Sequence, residues 1–268
     1  MFQEQVFNAD GVQINFVQVS NSGQPILLLH GTASEWQSFL PLIPVFAQNF
    51  KVFAVDLRGH GNSSWVSEEY RLFDYAKDIK CFLENHIGQP CILYGHSLGA
   101  QIAIAVTSLA PSYVSALVLG DIPFYYHNMT MKDTMWYEPF IELHHITSSF
   151  HSAKEIDDYM AEHYHNMDEQ RRKKRAETLS HVDPDAVAAI LEDHHVEGYD
   201  TDALLRQITC RVLLIQGNPK LGAALKDEDM AYMAGRIQNC EIVRMRDIGH
   251  GLPIGESLAS VETFIESV

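Results

Sequence analysis

Alternating apolar and polar positions around Val6-Phe7 and from Val12 to Val19 flank the segment Asn8-Ala9-Asp10-Gly11. That pattern predicts an N-terminal β-hairpin. The next apolar run, Ile26-Leu27-Leu28-Leu29, is continuous rather than alternating, as in a strand covered on both faces. "KVFAVDL" at about 51–57 repeats the signal, and helical spacing runs from about Tyr70 to His86. Strand Cys91 to Tyr94 follows, then a helix from Ser97 to near Pro111, then strand "VSALVLGD" at 114–121. From Ile122 to Leu205 no buried strand is evident, and the residues fall at helix-like intervals. Strands resume with "CRVLLIQGN" and "CEIVRMRDIG", and the helical stretch "ESLASVETFIESV" closes the chain.

Strands alternating with helices imply right-handed crossovers and a mostly parallel α/β sheet with helices on both faces. The stretch between the two groups of strands is too long for an ordinary connection. It predicts a helical cap over residues 122–205, inserted into a core made of 1–121 and 206–268. No internal repeat or low-complexity linker interrupts this order.

Composition narrows the partners. The 268 residues carry 35 acidic against 19 basic side chains, a formal net charge of −16. A field of that sign opposes nucleic acid and anionic membranes, so a small-molecule substrate is the expected partner. A homodimer is compatible with the sequence but not required by it. The one basic run, Arg171-Arg172-Lys173-Lys174-Arg175, lies in a polar stretch and reads as a solvated helix face. Cys81, Cys91, Cys210 and Cys240 form no C-x-x-C pair and sit among apolar neighbours, as free thiols in a reducing compartment do. The first residues lack the basic start and apolar core of a secretion signal, and no apolar run approaches a membrane span. A cytoplasmic protein is expected.

The chemistry concentrates in "LYGHSLGA", where a buried strand breaks into Gly95-His96-Ser97-Leu98-Gly99 and then a helix. A serine hydroxyl attacks poorly unless a base removes its proton and donors stabilise the oxyanion. A sharp strand-to-helix turn lifts Ser97 to the sheet's carboxyl edge and aims helix N-terminal amides at the developing charge. Small residues two before and two after the serine relieve the crowding of that turn, giving G-x-S-x-G. The plainer reading is a glycine-rich turn with a capping serine. Among 14 histidines, His250 stands out. It follows a strand and precedes Gly251, on a loop at the same sheet edge, after the serine in sequence. His96 is expected to point away from the nucleophile. His144-His145, His151, His163, His165 and His194-His195 invite a metal reading. Adjacent helical residues diverge by about 100°, however, and no H-E-x-x-H set appears. No metal and no cofactor are expected.

Four segments in order resemble the α/β-hydrolase superfamily: "LLLHGTASEWQSF", "VFAVDLRGHGNSS", "LYGHSLGA" and "MRDIGHG". The resemblance spans nearly the whole chain. It implies a mostly parallel eight-stranded sheet flanked by helices with an inserted helical cap. It also implies a Ser97–His250 pair and oxyanion donors from the amides of Leu98 and Thr32, with Ala33 as a lesser alternative. His30 and Gly31 would shape the donor loop, and Arg58, Gly59, His60 and Gly61 would set a turn. In many relatives the acid follows the strand "RVLLIQG" in a Gly-x-x-Asp arrangement, but here Lys220 occupies that place. Some members put the acid at the end of the preceding strand, where this chain has Asp121. Asp121 is therefore the first choice, with Asn218 and Asp227 as alternatives. Asp247 and Asp56 are disfavoured, and Asp227 to Asp229 read as a helix start.

The expected activity is cofactor-free hydrolysis of a small carboxylic ester, thioester or lactone through an acyl-enzyme. Serine at the elbow argues against the haloalkane dehalogenase and epoxide hydrolase branches. Carbon–carbon bond cleavage or a lyase step is the nearest enzymatic rival. Lys220 keeps open a ligand receptor on the same scaffold, which Asp121 within reach of His250 would disfavour. Trp36, Phe124 and Trp136 are the expected substrate-binding residues, with Tyr125, Tyr137 and Phe140 adding to an aromatic cleft.

Overall fold

The computed structural model describes residues 2–20, 22–124 and 129–268. The chain opens with hairpin strands β1 (Glu4–Ala9) and β2 (Val12–Val19). Asp10 and Gly11 between them both have positive φ, 50° and 104°, as a tight two-residue hairpin turn requires. Strand β3 (Gln24–Leu29), the short helix α1 (Ile43–Phe46) and strand β4 (Phe50–Val55) follow. Helix α2 (Leu72–Phe82) runs on through a wide turn, Leu83–Ile87, and stops at Gly88. The expected Tyr70 start is two residues early, because Tyr70 is instead buried beneath the preceding loop.

Strand β5 (Cys91–His96) leads into α3 (Leu98–Leu109), and β6 (Val114–Gly120) closes the first half. Between β6 and β7 (Arg211–Gln216) come α4 (Tyr137–Ser149), α5 (Ala153–His163), α6 (Glu169–Ser180), α7 (Pro184–Leu191) and α8 (Thr201–Gln207). Helix α9 (Asp227–Ala234), strand β8 (Cys240–Arg244) and helix α10 (Gly255–Glu266) complete the chain. The sheet order is β1-β2-β4-β3-β5-β6-β7-β8. Only the hairpin pair and β2–β4 are antiparallel; β4 through β8 pair in parallel.

Continuous apolar runs suit strands with two buried faces, and successive side chains divide between them. Leu27, Leu29, Leu93, Leu117, Leu119 and Leu214 pack with α2, α3 and α9. Ile26, Leu28, Ile92, Ala116, Val118 and Ile215 face α1 and α10. A third cluster lies among the inserted helices, with Ile146, Ile156, Met160, Ala176, Leu179 and Val187. Ala33, from the loop after β3, belongs to it. Helix α8 departs from the expected boundary. Its Leu204 and Leu205 pack in the sheet-side core, so the chain has returned to the sheet layer before residue 206. The inserted helices are tied to the loop after β4: Asp183 N–H donates to the Gly59 carbonyl (2.8 Å), and Tyr70 Oη donates to Asp183 Oδ2 (2.5 Å).

Among the described residues no helix is long and apolar enough to cross a membrane. All four cysteines are free; Cys81 and Cys91 are buried, while Cys210 and Cys240 are partly exposed.

Candidate active site

The parallel strands end on one edge, and the strand order reverses about β3, sending its neighbours β4 and β5 to opposite sides. Crevices form at such reversals. Ser97 stands there, between β5 and α3, with φ 55° and ψ −121°, a conformation costly for a residue with a Cβ. The surroundings enforce it. A Cβ on Gly95 would lie 2.3 Å from the Gly99 carbonyl oxygen, and one on Gly99 would lie 2.1 Å from that of Leu29. The small residues of the motif are thus a steric condition of the turn. Ser97 N–H donates to the Gly120 carbonyl at 2.9 Å, fixing the elbow to β6.

The loop after β3 passes over the serine. A Cβ on Gly31 would lie 3.0 Å from Ser97 Cβ and 3.5 Å from its Oγ. His30 holds this loop from below. Its Nδ1 donates to the Gly31 carbonyl at 2.7 Å, and its Nε2 accepts from Leu57 N–H at 3.0 Å. Burial pushes its pKa down to about 4, so it stays neutral in this double role. Thr32 and Leu98 both line the cavity beside Ser97. The Leu98 amide is among the first of α3, where intrahelical acceptors are lacking.

His250, on the loop between β8 and α10, joins the two halves of the site. Its Nε2 lies 3.0 Å from Ser97 Oγ, and its Nδ1 lies 2.6 Å from Asp121 Oδ2. A carboxylate only accepts, so Nδ1 carries the proton and Nε2 presents its lone pair to the serine hydroxyl. Asp121 directly follows β6, with φ 40°, and is 0% exposed. Burial alone would raise its pKa. The His250 hydrogen bond and the amides of Ala224 (2.8 Å, to Oδ2) and Gly217 (3.0 Å, to Oδ1) outweigh burial and hold it below the usual value. Leu225 N–H adds a fourth donor, to Oδ1 at 3.3 Å.

The other acids are occupied elsewhere. Asp227 opens α9 and accepts from Gln216 Nε2 at 2.9 Å. The Asn218 amide donates to the Arg246 carbonyl, and Asp247 is exposed. Asp56 accepts from Asn15 Nδ2, Trp36 N–H and Asn62 N–H, bracing the neighbouring turn. Arg58 makes a two-pronged pair with Asp78 at 2.6 and 2.7 Å. His60 Nδ1 donates to the Arg58 carbonyl, and burial lowers its pKa to about 3. Both residues serve that turn. Among the described residues, no group of three or more His, Cys, Asp or Glu is placed to hold a metal ion.

The serine opens into a cavity of about 730 Å³. Four sequence expectations need correction there. Trp36 does not line it: the ring is 5% exposed, in the core on the α1 side, with Nε1 donating to Glu4 Oε1 at 2.9 Å. Phe124 is 4% exposed and packs in the sheet-side core against Tyr232, lining a smaller neighbouring pocket instead. His96 does not point away; its ring centroid is 4.8 Å from that of His250, and it lines the cavity. The basic run is not wholly solvated, since Arg171, Lys174 and Arg175 also line the cavity. Trp136 lies against the cavity with its ring 5.5 Å from that of His250, and Phe140 lines it too. Tyr137 is not among the lining residues, and Tyr125 lies outside the described residues.

Sequence reasoning missed Glu35 and Thr178 on the wall, whereas His195, one of the histidines singled out in the inserted segment, does line it. For α6 a signal existed: positions 171, 174, 175 and 178 are spaced to share one helical face.

This fold and site are those of a hydrolase scaffold, and comparison with known proteins agrees. The family model described as the alpha/beta hydrolase fold matches residues 24–170, so the chain belongs to the α/β-hydrolase family. Epoxide hydrolase 4 of Mus musculus is 32% identical over 116 residues, covering 42% of this chain and 32% of that protein. The 2-(acetamidomethylene)succinate hydrolase of Mesorhizobium japonicum is 30% identical over 162 residues, covering 60% of this chain and 56% of that one. The matched stretches thus span about a third to a half of these relatives' own lengths. The crystal structure of an E-2-(acetamidomethylene)succinate hydrolase superposes with a TM-score of 0.78 at 22% identity, over 99% of this chain and 100% of the other. That likeness is one of fold.

Proposed function

We propose that the protein is a serine hydrolase that cleaves a small carboxylic ester, thioester or lactone through an acyl-enzyme. The observation that carries this reading is the unbroken chain Ser97 Oγ–His250–Asp121, at 3.0 and 2.6 Å. Ser97 attacks the substrate carbonyl as His250 Nε2 takes its proton. Asp121 keeps Nδ1 protonated and stabilises the imidazolium. The amides of Leu98 and Thr32 stabilise the tetrahedral oxyanion, aided by the N-terminus of α3. His250 then returns the proton to the leaving group. Water, deprotonated by the same imidazole, attacks the acyl-enzyme and releases the acid. Every group this chemistry needs is a side chain or amide of the protein, so no cofactor is invoked. Helices α4 to α7 act as a cap roofing the cavity.

The reach of Asp121 to His250 supports catalysis over a receptor role, which Lys220 had left open. The epoxide hydrolase name among the relatives is not carried over, because the elbow here bears serine rather than aspartate. A fluorophosphonate probe tests the proposal. It is expected to label Ser97, and Ser97→Ala is expected to lose both labelling and turnover of p-nitrophenyl acetate. Equal labelling of the variant would remove Ser97 from the mechanism.

A further inference from the structure

Five consecutive cations begin at the third residue of α6, and the helix sorts them. Arg172 Nε pairs with Asp157 at 2.6 Å, and Lys173 with Glu169 at 2.5 Å. Both pairs sit away from the cavity lining. Arg171, Lys174 and Arg175 fall at helical spacings i, i+3 and i+4, and all three line the cavity that opens on Ser97. None of the three has a carboxylate within ion-pair distance among the described residues. In a chain of net charge −16, Arg171 and Lys174 are exposed where they line the cavity and Arg175 is partly buried, so the cavity carries a local cluster of positive charge.

Arg175 is the most constrained. It is partly buried, and its Nη1 donates to the Ala33 carbonyl at 2.6 Å, one residue beyond Thr32. One guanidinium N–H is satisfied there; the fork offers five. Burial outweighs the nearby Tyr164 and Glu35 and lowers its pKa, as expected of a cation short of a counter-charge. Glu35 also lines the cavity, but its Oε1 accepts from Thr178 Oγ1 at 3.0 Å, and burial raises its pKa. It offsets at most one of the three positive charges. The Asp121 carboxylate is saturated by its four donors.

We propose that the Arg171–Lys174–Arg175 face of α6 is an anion subsite, and that the preferred substrate is a small ester or related acyl compound bearing a free carboxylate. The inference rests on the hydrolase reading above for the reaction, and on the cavity wall for the charge. A planar guanidinium beside the oxyanion loop matches a carboxylate's two oxygens. Ser97 and the α6 face line the same cavity, so a substrate held by its carboxylate at that face shares the cavity with the nucleophile.

Two substrate pairs test it: 4-nitrophenyl hydrogen adipate against 4-nitrophenyl hexanoate, and 4-acetoxybenzoate against phenyl acetate. The first pair puts the carboxylate on the acyl side and the second on the leaving group. In at least one pair, the ratio of kcat/KM for the anionic over the neutral member is expected to fall about ten- to hundredfold in Arg175→Gln. It should fall in the same direction in the double variant Arg171→Gln/Lys174→Gln, whose exposed positions keep the test alive if Arg175→Gln does not fold. Arg175→Lys should recover part of the ratio. Calorimetric titration of glutarate into Ser97→Ala reads the subsite without turnover. Affinity there should drop when the α6 cations are removed and should weaken with added salt. Glutarate binding without Ser97 labelling would sink the hydrolase reading and spare the subsite. Unchanged ratios in both pairs, together with no glutarate binding that depends on α6, would overturn the subsite.

Discussion

Replacing Asp121 by Asn exchanges one oxygen for an NH2 group at nearly constant volume. The carboxylate accepts from four donors: Gly217 and Leu225 amides at Oδ1, and the Ala224 amide and His250 Nδ1 at Oδ2. An asparagine cannot satisfy them all. With NH2 at the Oδ2 position it faces the Ala224 N–H and forces His250 Nδ1 to accept. The proton then moves to Nε2, and the base is lost toward Ser97. With NH2 at Oδ1 the imidazole keeps its tautomer, but two amides lose their acceptor and no charge remains to stabilise imidazolium. Either way kcat should fall by about 10⁴, equivalent to about 5.5 kcal/mol of barrier. Leaving one or two buried amides unsatisfied should cost a further ~1–3 kcal/mol of stability. The assay is kcat on p-nitrophenyl acetate at saturating substrate, paired with urea unfolding to confirm the fold. The folded carboxyl titrates below its unfolded value. Its contribution to stability is therefore present at neutral pH and lost as pH falls through that depressed pKa, and Asp121→Asn should abolish that segment of the profile. A loss under tenfold with the fold intact would move the acid role away from Asp121.

Two further predictions concern the scaffold. Burial pushes His30 and His195 down to about 4, and His60 and His96 down to about 3, so the folded state keeps them neutral while the unfolded state protonates near 6.5. Stability should therefore fall as pH drops below about 6.5, by about 1.4 kcal/mol per pH unit for each histidine, until the raised carboxyls of Asp56, Asp78, Glu35 and Asp183 take up protons with the opposite sign. Urea midpoints measured from pH 7 to 5 should show this, with a shallower slope in His60→Asn; a flat profile would contradict the burial argument. Breaking the buried Arg58–Asp78 pair with Arg58→Met should cost about 3–5 kcal/mol in the same assay, and Arg58→Met/Asp78→Leu should recover much of it. A double variant no more stable than the single one would refute that accounting.

How far the sequence foretold this depended on whether steric demand or mere composition carried the signal. The elbow was legible because its turn tolerates no Cβ at positions 95 and 99, so the requirement is written in residue identity. The central parallel strands were legible because two buried faces demand unbroken apolar runs, and the hairpin was legible from its alternation and turn. Asp121 was legible as a strand end. Trp36 and Phe124 were not, because aromatic character does not say whether a ring faces a cavity or a core, and both face core. The basic run misled because five adjacent charges encircle a helix. Spacing groups 171, 174 and 175 on one side, but only the docking of α6 on Ala33 turns that side toward the cavity. His96 was misplaced because alternation along a strand governs only the Cβ direction, and the ring of this last residue of β5 still lies with its centroid 4.8 Å from that of His250. The return of α8 to the sheet layer was hidden because Leu204 and Leu205 would suit either core.

If Asp121 is the acid, as proposed, the loop after β7, where Lys220 stands, still has a part in the site. Lys220 is exposed on a short turn that Asn218 holds through its side chain, with Oδ1 accepting the Lys220 amide at 3.0 Å. The same loop contributes the amides of Gly217, Ala224 and Leu225 to the Asp121 carboxylate. In the proposed mechanism this loop serves as a cradle: with the His250 hydrogen bond, the amides of Ala224 and Gly217 hold the buried carboxyl below its usual pKa, which desolvation alone would oppose. Its packing also reaches the base. Gly217 lies so close to the loop bearing His250 that a Cβ there would sit 2.1 Å from the Gly249 carbonyl oxygen, and a Cβ on Gly249 would sit 2.0 Å from that of Leu221. Movement of this loop would therefore disturb the donors to Asp121 and the backbone beside His250 together. The β7 loop thus contacts both proposed partners through its backbone, by amides on Asp121 and by the close packing of Gly217 on Gly249.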